Sequence, residues 1–260
     1  DVSGFIQAFA GDHRYIVDYL AEEVLRRQTE EIRGFLLQTS ILERLNGSLC
    51  DAVTAQAGGK SLLEQLQRGN LFLIPLDDKR DWYRYHHLFA DVLRMHLQAE
   101  QPDHVPALHR RASEWYEQHG SPADAIRHAL AGDDFDRAAN LIELAAPAMR
   151  QSRQEATLLG WLKALPDDLF QARPILNVEY VGASLSNGEV AGLEDRLREA
   201  ERWLDTSTDR SARPDEMLNR MIVLNQAEFR RLPGSIAMYR AAHALAVGNM
   251  SDTVTHARKV

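Results

Sequence analysis

The chain has 260 residues, of which 45% are hydrophobic and 26% are charged. This composition is typical of a globular protein of about two domains that can bury a sizeable core. The 38 acidic and 30 basic residues give a net charge of -8. Such a charge argues against extensive nucleic-acid binding, which requires clustered positive charge to displace counterions, but it is compatible with a small local contact.

The single cysteine, Cys50, excludes an internal disulfide and a thiolate metal cage. We expect it to be a small buried residue. No apolar run approaches the ~20 residues that span a bilayer, and residues 1–4 do not open a signal peptide. We therefore predict a cytoplasmic protein without a membrane contact. Because the sequence lacks an initiator Met, we expect it to be an internal piece of a longer polypeptide.

Apolar residues recur at helical spacing through the first part of the chain. They predict helices over 13–28 and 30–42, and a short helix around Cys50. A further helix follows Gly58 and Gly59. Its start is predicted from Ser61 and Glu64, which have the spacing of a capping box.

The pattern changes between residues 71 and 86. A short apolar run, a polar turn and an alternating segment predict a β-hairpin, and Pro75 places its own strand at an edge. The alternation puts Trp82, Arg84 and His86 on one face. A helix with inward apolar residues follows. Three helices, a hairpin and a further helix are the parts of a winged-helix domain, which we place at 30–100.

From residue 101 to 260 the sequence predicts a succession of helix pairs. Ser121 and Pro122 have the order of an N-cap and a first helical residue. Breaks about every 15–20 residues, with alanines at the expected crossings, indicate degenerate TPR-like repeats of about 40 residues. One further helical stripe runs through 217–222. The aromatic residues of this region have two possible roles, which both stay open: they line a concave ligand-binding face, or they pack in the core. These residues are Trp115, Tyr116, Trp161, Tyr180 and Tyr239.

The predicted fold is therefore mostly α, with a winged-helix domain that carries a small β-hairpin and is followed by a TPR-like α-solenoid. Gly59, Lys60 and Ser61 imitate the end of a phosphate-binding P-loop. The motif fails because position 54 is Thr54 instead of glycine and the preceding segment is helical.

Metal binding, catalysis and DNA contact are each disfavoured by the residues present. The histidines between His86 and His109 lack the spacing of a metal site. No nucleophile, base and acid can be assembled into a catalytic arrangement, so we expect no enzyme in this chain. The candidate recognition helix, about 61–69, and the hairpin turn are nearly neutral, whereas DNA-contacting helices are normally basic.

Several segments resemble the large, ATP-dependent, MalT-like regulators of the LuxR family, which are similar to the STAND class of signal-transducing ATPases. The strongest segment is WYRYHHLFADVLR at 82–94. Further segments that carry the resemblance are HRYIVDYLAEEVL at 13–25, FLLQTSIL at 35–42, LCDAV at 49–53, HRRASEWY at 109–116 and WLKALP at 161–166. Together they cover nearly the whole chain.

The resemblance implies a domain order of P-loop ATPase, helical domain, winged helix, TPR-like sensor array and C-terminal helix-turn-helix. Residues 1–29 would then be the end of the helical domain, and 101–260 a truncated array. The implied cofactors, ATP or ADP with Mg, and the DNA-binding domain belong to the full-length parent outside this chain. A winged-helix histidine that contacts the β-phosphate of ADP corresponds to His86, or to His87 if the hairpin shifts by one residue. A structural role for His86 stays open.

Three functions follow from the sequence as hypotheses. The first is a regulatory module, in which the winged helix clamps ADP and the repeats receive a small-molecule inducer or a regulatory protein, with self-association on activation. The second is a TPR-like interaction scaffold without a nucleotide role. The third, and the weakest, is DNA binding through the winged helix.

Overall fold

A computed structural model describes residues 22–204 and 221–260, and the chain divides after Asp133 into two compact units. Most of the predicted helix over 13–28, and of the segment 1–29, lies outside the described residues, although residues 22–27 are helical. Most of the predicted stripe over 217–222 is likewise outside them, and residues 221 and 222 are not helical.

The first unit contains six helices among its described residues from Glu30 onward, and one antiparallel hairpin. The helices are α1 (Glu30–Thr39), α2 (Gly47–Thr54), α3 (Gly59–Arg68), α4 (His87–Glu100), α5 (Val105–Gln118) and α6 (Pro122–Ala131), and the strands are β1 (Leu73–Pro75) and β2 (Tyr83–Tyr85). A 3₁₀ turn, Pro102–His104, joins α4 to α5.

The hairpin has the alternation that the sequence predicts. β1 pairs with β2 in the register Leu73 with Tyr85 and Pro75 with Tyr83. On its other side β2 forms a bridge to Leu45, so β1 is the outer strand and Pro75 is exposed. The Tyr83 and Tyr85 side chains are buried, and Arg84 between them is exposed.

The core of the winged helix is mostly apolar and includes a pair of hydrogen-bonded hydroxyl groups. Phe35, Leu36 and Leu37 of α1 pack inward, as do Phe89 and Leu93 of α4. The Tyr85 hydroxyl also lies in this core, 2.8 Å from the hydroxyl of Thr39. This hydrogen bond stabilises the buried phenol, because an unpaired hydroxyl there would cost about 1–3 kcal/mol. A mostly helical fold with a small hairpin and a winged helix is therefore confirmed.

Helix α3 begins differently from the prediction. The capping box of Ser61 and Glu64 is wrong, because the helix starts at Gly59 and its N-cap is Gly58 at φ 106°. Its first amide is bound by a tertiary partner instead, since the Gly59 N–H donates to Asp51 Oδ1 at 2.7 Å. Gly58 allows the chain to turn there, because a positive φ is strained for residues with a Cβ.

The first helix pair after the winged helix packs against it. Arg111 of α5 donates to the Val53 carbonyl at 2.8 Å, and Trp115 meets Trp82 edge-on at 6.4 Å. Arg127 of α6 is ion-paired with Glu43. The compact unit therefore runs to Asp133, beyond the boundary placed after residue 100. The assignment of residues 101–133 to the sensor region stays a prediction.

The second unit is built from three successive helix pairs among its described residues. The pairs are α7 (Phe135–Gln151) with α8 (Glu155–Lys163), α9 (Pro174–Ser186) with α10 (Leu193–Glu201), and α11 (Gln226–Ala246) with α12 (Met250–Ala257). A 3₁₀ segment, Asp167–Ala172, precedes α9. The core between α9, α10 and α11 is apolar and includes Val181, Leu197 and Ile236. That these pairs are TPR-like repeats stays a prediction.

Buried charges connect the pairs of the second unit. Glu143 of α7 is fully buried, and its Oε1 accepts the backbone amides of Leu224 and Asn225 just before α11. Arg150 of α7 bridges Glu179 of α9 and Glu228 of α11. In residues 22–204 and 221–260, no helix combines the length and the apolar character needed to cross a membrane.

Candidate functional site

His86 lies at the junction of the hairpin and helix α4. Its backbone continues the extended conformation of β2, with φ -58° and ψ 134°, and its amide donates to the Phe72 carbonyl at 2.8 Å. Its own carbonyl accepts the Ala90 amide and opens α4. His86 is thus held by both the hairpin and the helix, and the residue as a whole is half-buried.

The two ring nitrogens of His86 have different surroundings. Nδ1 is buried and has no hydrogen-bond partner. A buried N–H without a partner is rare in folded proteins, so this position favours the tautomer that carries its proton on Nε2. No described residue accepts a hydrogen bond from Nε2. In this tautomer, His86 therefore has one ring N–H donor, at Nε2, that no described residue uses.

His87 is the first residue of α4 and is exposed. Its ring lies 4.5 Å from the His86 ring, measured between centroids, at an interplanar angle of 30°. The start of α4 has no side-chain cap and no acidic residue in its first turn. The amino end of a helix carries unpaired amides and partial positive charge, which favours an anion. Both candidate histidines therefore lie at one uncapped helix start.

The segment that imitates a P-loop has a structural role. Gly59, Lys60 and Ser61 open helix α3, and the Gly59 amide is already bound by Asp51. Asp51, Lys60 and Trp82 line a shallow groove with a volume of about 340 Å³. The preceding element is helix α2 instead of a strand, so the parts of a phosphate loop are not assembled.

The possible DNA-contacting face of the winged helix has little positive charge. Glu64 and Arg68 of α3 form an exposed i,i+4 pair 3.7 Å apart. In the hairpin turn, backbone amides led by that of Asp81 hold the pKa of the Asp77 carboxyl below its usual value. Asp77 is therefore ionised at neutral pH and offsets one of the basic residues of the turn.

The structure separates the histidines that are close in sequence. His96 pairs with Glu100 on α4, whereas His109 of α5 pairs with His128 of α6, with the two Nδ1 atoms 2.9 Å apart. Within the part of the chain that the structure describes, no group of three or more His, Cys, Asp or Glu side chains is arranged to hold a metal. Burial raises the pKa of the Cys50 thiol, which stays protonated.

Two of the predicted aromatic residues contribute to a charged cavity or to the core of the second unit. Tyr239 lines a cavity of about 150 Å³ between α7, α9 and α11, beside Arg150 and Glu179. Tyr180 is half-buried and meets Phe170 edge-on at 5.8 Å. Trp161 is also half-buried. In the first unit, Tyr116 is buried and stacks on His128.

Sequence reasoning missed the charged groups of this cavity. Arg150, Glu179 and Glu228 come from three helices that are far apart in sequence, and each alone resembles a charge on a solvated helix face. Glu179 is only 4% exposed, and its Oε2 has no hydrogen-bond partner. The available signal was weak: Glu179 is the one charged residue in the mostly apolar sequence from Pro174 to Val181.

Three helices, a hairpin with a buried tyrosine face and a following helix define a winged-helix domain. Residues 21–105 match the family model of the MalT winged helix domain. The chain is 32% identical over 224 residues to the HTH-type transcriptional regulator MalT of Yersinia pestis, and equally to that of Yersinia pseudotuberculosis. That match covers 86% of this chain and 24% of the regulator.

A second kind of relative is a protein kinase. The chain is 31% identical over 222 residues to the serine/threonine-protein kinase PknK of Mycobacterium tuberculosis, which covers 83% of this chain and 20% of the kinase. The chain thus spans about a quarter or less of the relatives it matches. The predicted resemblance to MalT-like regulators is therefore confirmed.

Proposed function

We propose that this chain is the regulatory part of an ATP-dependent, LuxR-type transcription regulator of the STAND class. In this proposal the winged helix holds the resting state by contacting bound ADP, together with an ATPase domain supplied by the full-length parent. His86 is the contact residue, and His87 is its neighbour. The observation that carries the proposal is the uncapped amino end of α4, where the buried Nδ1 of His86 leaves Nε2 as the donor.

These residues fit a phosphate group. An Nε2–H donor, an exposed second histidine and uncapped helix amides all favour an anion, and no acidic residue occurs in the first turn of α4. The phosphates of a bound nucleotide would supply the negative charge that these donors contact, and the Mg expected with it would belong to the full-length parent. Residues of this chain supply the donor and its orientation, since His86 is fixed by its bonds to Phe72 and Ala90. This chain carries out no chemical step in the proposal.

The helical repeats receive the signal in the same proposal. A small-molecule inducer or a regulatory protein binds them and shifts the population from a closed monomer to a self-associating open form. The charged cavity beside Arg150 and Tyr239 supports such a role, because stacked helix pairs bind ligands on their inner helices. DNA is contacted by a separate C-terminal domain of the parent, and the protein acts in the cytoplasm without a membrane contact.

The clamp is tested with His86→Ala in the full-length protein. We expect the purified variant to retain less ADP, with a Kd about tenfold higher, because one hydrogen bond to a charged group is lost. Nucleotide released on denaturation is quantified against protein by chromatography. His104→Ala is the matched control, since His104 is exposed and lies on the 3₁₀ turn after α4. Equal ADP retention in both variants would contradict the clamp.

The alternative is a TPR-like interaction scaffold without a nucleotide role, and the helix pairs of the second unit favour it as much as they favour a sensor. The gene of the full-length protein distinguishes the two. A P-loop encoded upstream of residue 1 supports the clamp. Its absence would overturn the clamp and leave the scaffold.

A further inference from the structure

Arg84 and His86 lie on the same face of the hairpin. Tyr83 and Tyr85 are 3% and 4% exposed, so strand β2 turns its tyrosines into the core and Arg84 away from it. The extended backbone continues through His86, whose amide still pairs with the Phe72 carbonyl. Residues two apart on a strand are about 7 Å apart and point to the same side. An arginine side chain spans that distance easily.

Arg84 has no partner of its own within the described residues. It is exposed and forms no hydrogen bond or ion pair with them. The arginines on neighbouring helices are paired, Arg33 with Glu100 and Arg94 with Asp91. A free surface arginine is ordinary in isolation. Arg84 is of interest because it lies two residues before His86, on the same face of the hairpin, and His86 is also without a hydrogen-bond partner for its ring.

The start of helix α4 adds a third feature at this place. The helix has 14 residues, no side-chain cap and no acidic residue in its first turn. The acidic residue nearest to its start on the helix is Asp91, which pairs with Arg94 at 3.0 Å. Arg84, the Nε2 donor of His86 and the amino end of α4 therefore lie within a few residues of one another, and the first turn of α4 has no acidic side chain.

We propose that Arg84 is a second phosphate-binding residue, which acts beside His86 on the diphosphate of the bound nucleotide. The inference rests on the proposed function, because the nucleotide enters only with the clamp. The guanidinium matches two oxygens of a phosphate in a bidentate geometry that a lysine cannot reproduce. His86 then contacts one phosphate through Nε2, and Arg84 contacts the same group or its neighbour.

The test uses the full-length protein and its release of a fluorescent ADP analogue. We expect Arg84→Ala to release the analogue about tenfold faster, and Arg84→Lys to lie between Arg84→Ala and the wild type. Lys79→Ala is the matched control, because Lys79 carries the same charge on the exposed turn of the same hairpin. The Tm of each variant without nucleotide is measured as well, since a structural role of Arg84 would lower it.

The outcomes separate this inference from the clamp. If His86→Ala accelerates release and Arg84→Ala behaves like Lys79→Ala, Arg84 is not a phosphate contact and the clamp stands. If neither His86→Ala nor Arg84→Ala changes release, both proposals are overturned. If both variants accelerate release with unchanged Tm, and their effects in the double variant are less than additive, the two side chains act on one diphosphate.

Discussion

The pair of His109 and His128 shows how one contact makes folding sensitive to pH. The two Nδ1 atoms are 2.9 Å apart, and the Tyr116 ring stacks on His128. Burial lowers the pKa of His128 to about 3 and also lowers the pKa of His109. In the unfolded chain these pKa values are about 6.5. The folded state therefore binds fewer protons between these two values.

The sign of the pH dependence follows from this difference. Stability from the pair is fully present above pH 6.5 and is lost as the pH falls through 6.5 toward 3. We expect His128 alone to reduce the free energy of unfolding by about 2 kcal/mol between pH 7 and pH 5. His128→Gln should reduce this difference. The free energy of unfolding is measured in urea at each pH, from the hydrogen exchange of the backbone amides in α5 and α6.

His104→Gln serves as the control for this experiment, because His104 is exposed. It should keep the wild-type difference between pH 7 and pH 5. A wild-type protein with equal stability at both pH values would contradict the prediction.

The same pair shows a limit of prediction from sequence. His109 was recognised only as one of several nearby histidines, whereas its partner is 19 residues away on the next helix. Spacing within a helix does not show which face of the neighbouring helix it meets. The alternation of Tyr83, Arg84 and Tyr85 was predictable, because a strand with one buried face repeats every two residues.

At the scale of elements, helices α9 and α11 approach each other closely at Gly182. A Cβ on Gly182 would lie 2.5 Å from the Tyr239 hydroxyl oxygen and 2.7 Å from Cζ. The small residue therefore sets the distance between the two helices. Gly160 on α8 is the opposite case, since a Cβ there meets no described atom within 4 Å.

Alanine at these two glycines is expected to act in opposite directions. Gly182→Ala should destabilise the second unit by about 1–3 kcal/mol, because the added methyl group displaces Tyr239. Gly160→Ala should stabilise it by about 0.5–1 kcal/mol, because alanine lowers the entropy of the unfolded chain without a clash. The free energies of unfolding in urea give both values, and Tyr239→Phe should partly rescue Gly182→Ala. Destabilisation of similar size at both glycines would contradict this account.

Element starts were less predictable than element type. Helical spacing predicted α1 over 30–42, and the helix ends at Thr39. The capping box at Ser61 failed because the partner of the first amide is Asp51, a residue on the preceding helix. Ser121 and Pro122 do start α6, as predicted, although Ser121 makes no side-chain cap. A cap within one turn is visible in sequence, whereas a cap supplied by tertiary packing is not.

At the scale of the whole molecule, the charge of the chain argues against direct contact with DNA. The net charge is -8, and in α3, the candidate recognition helix, Arg68 is paired with Glu64. In the hairpin turn, Asp77 is held ionised by backbone amides. Neither the overall field nor the local surface favours the phosphates of DNA, since affinity depends on cations that displace counterions.

We therefore expect the 260-residue chain to bind a DNA duplex with a Kd weaker than about 100 µM at low salt. Fluorescence anisotropy of a labelled duplex measures this, and salt-sensitive binding near micromolar would contradict it. The matched variant carries Asp78→Lys and Asp81→Lys on the exposed turn. The two substitutions raise the local charge by four units and leave the core unchanged. We therefore expect this variant to bind the duplex, with an affinity that falls as the salt concentration rises. Acquired binding in this variant would show that missing charge, and not the shape of the winged helix, keeps the natural chain off DNA.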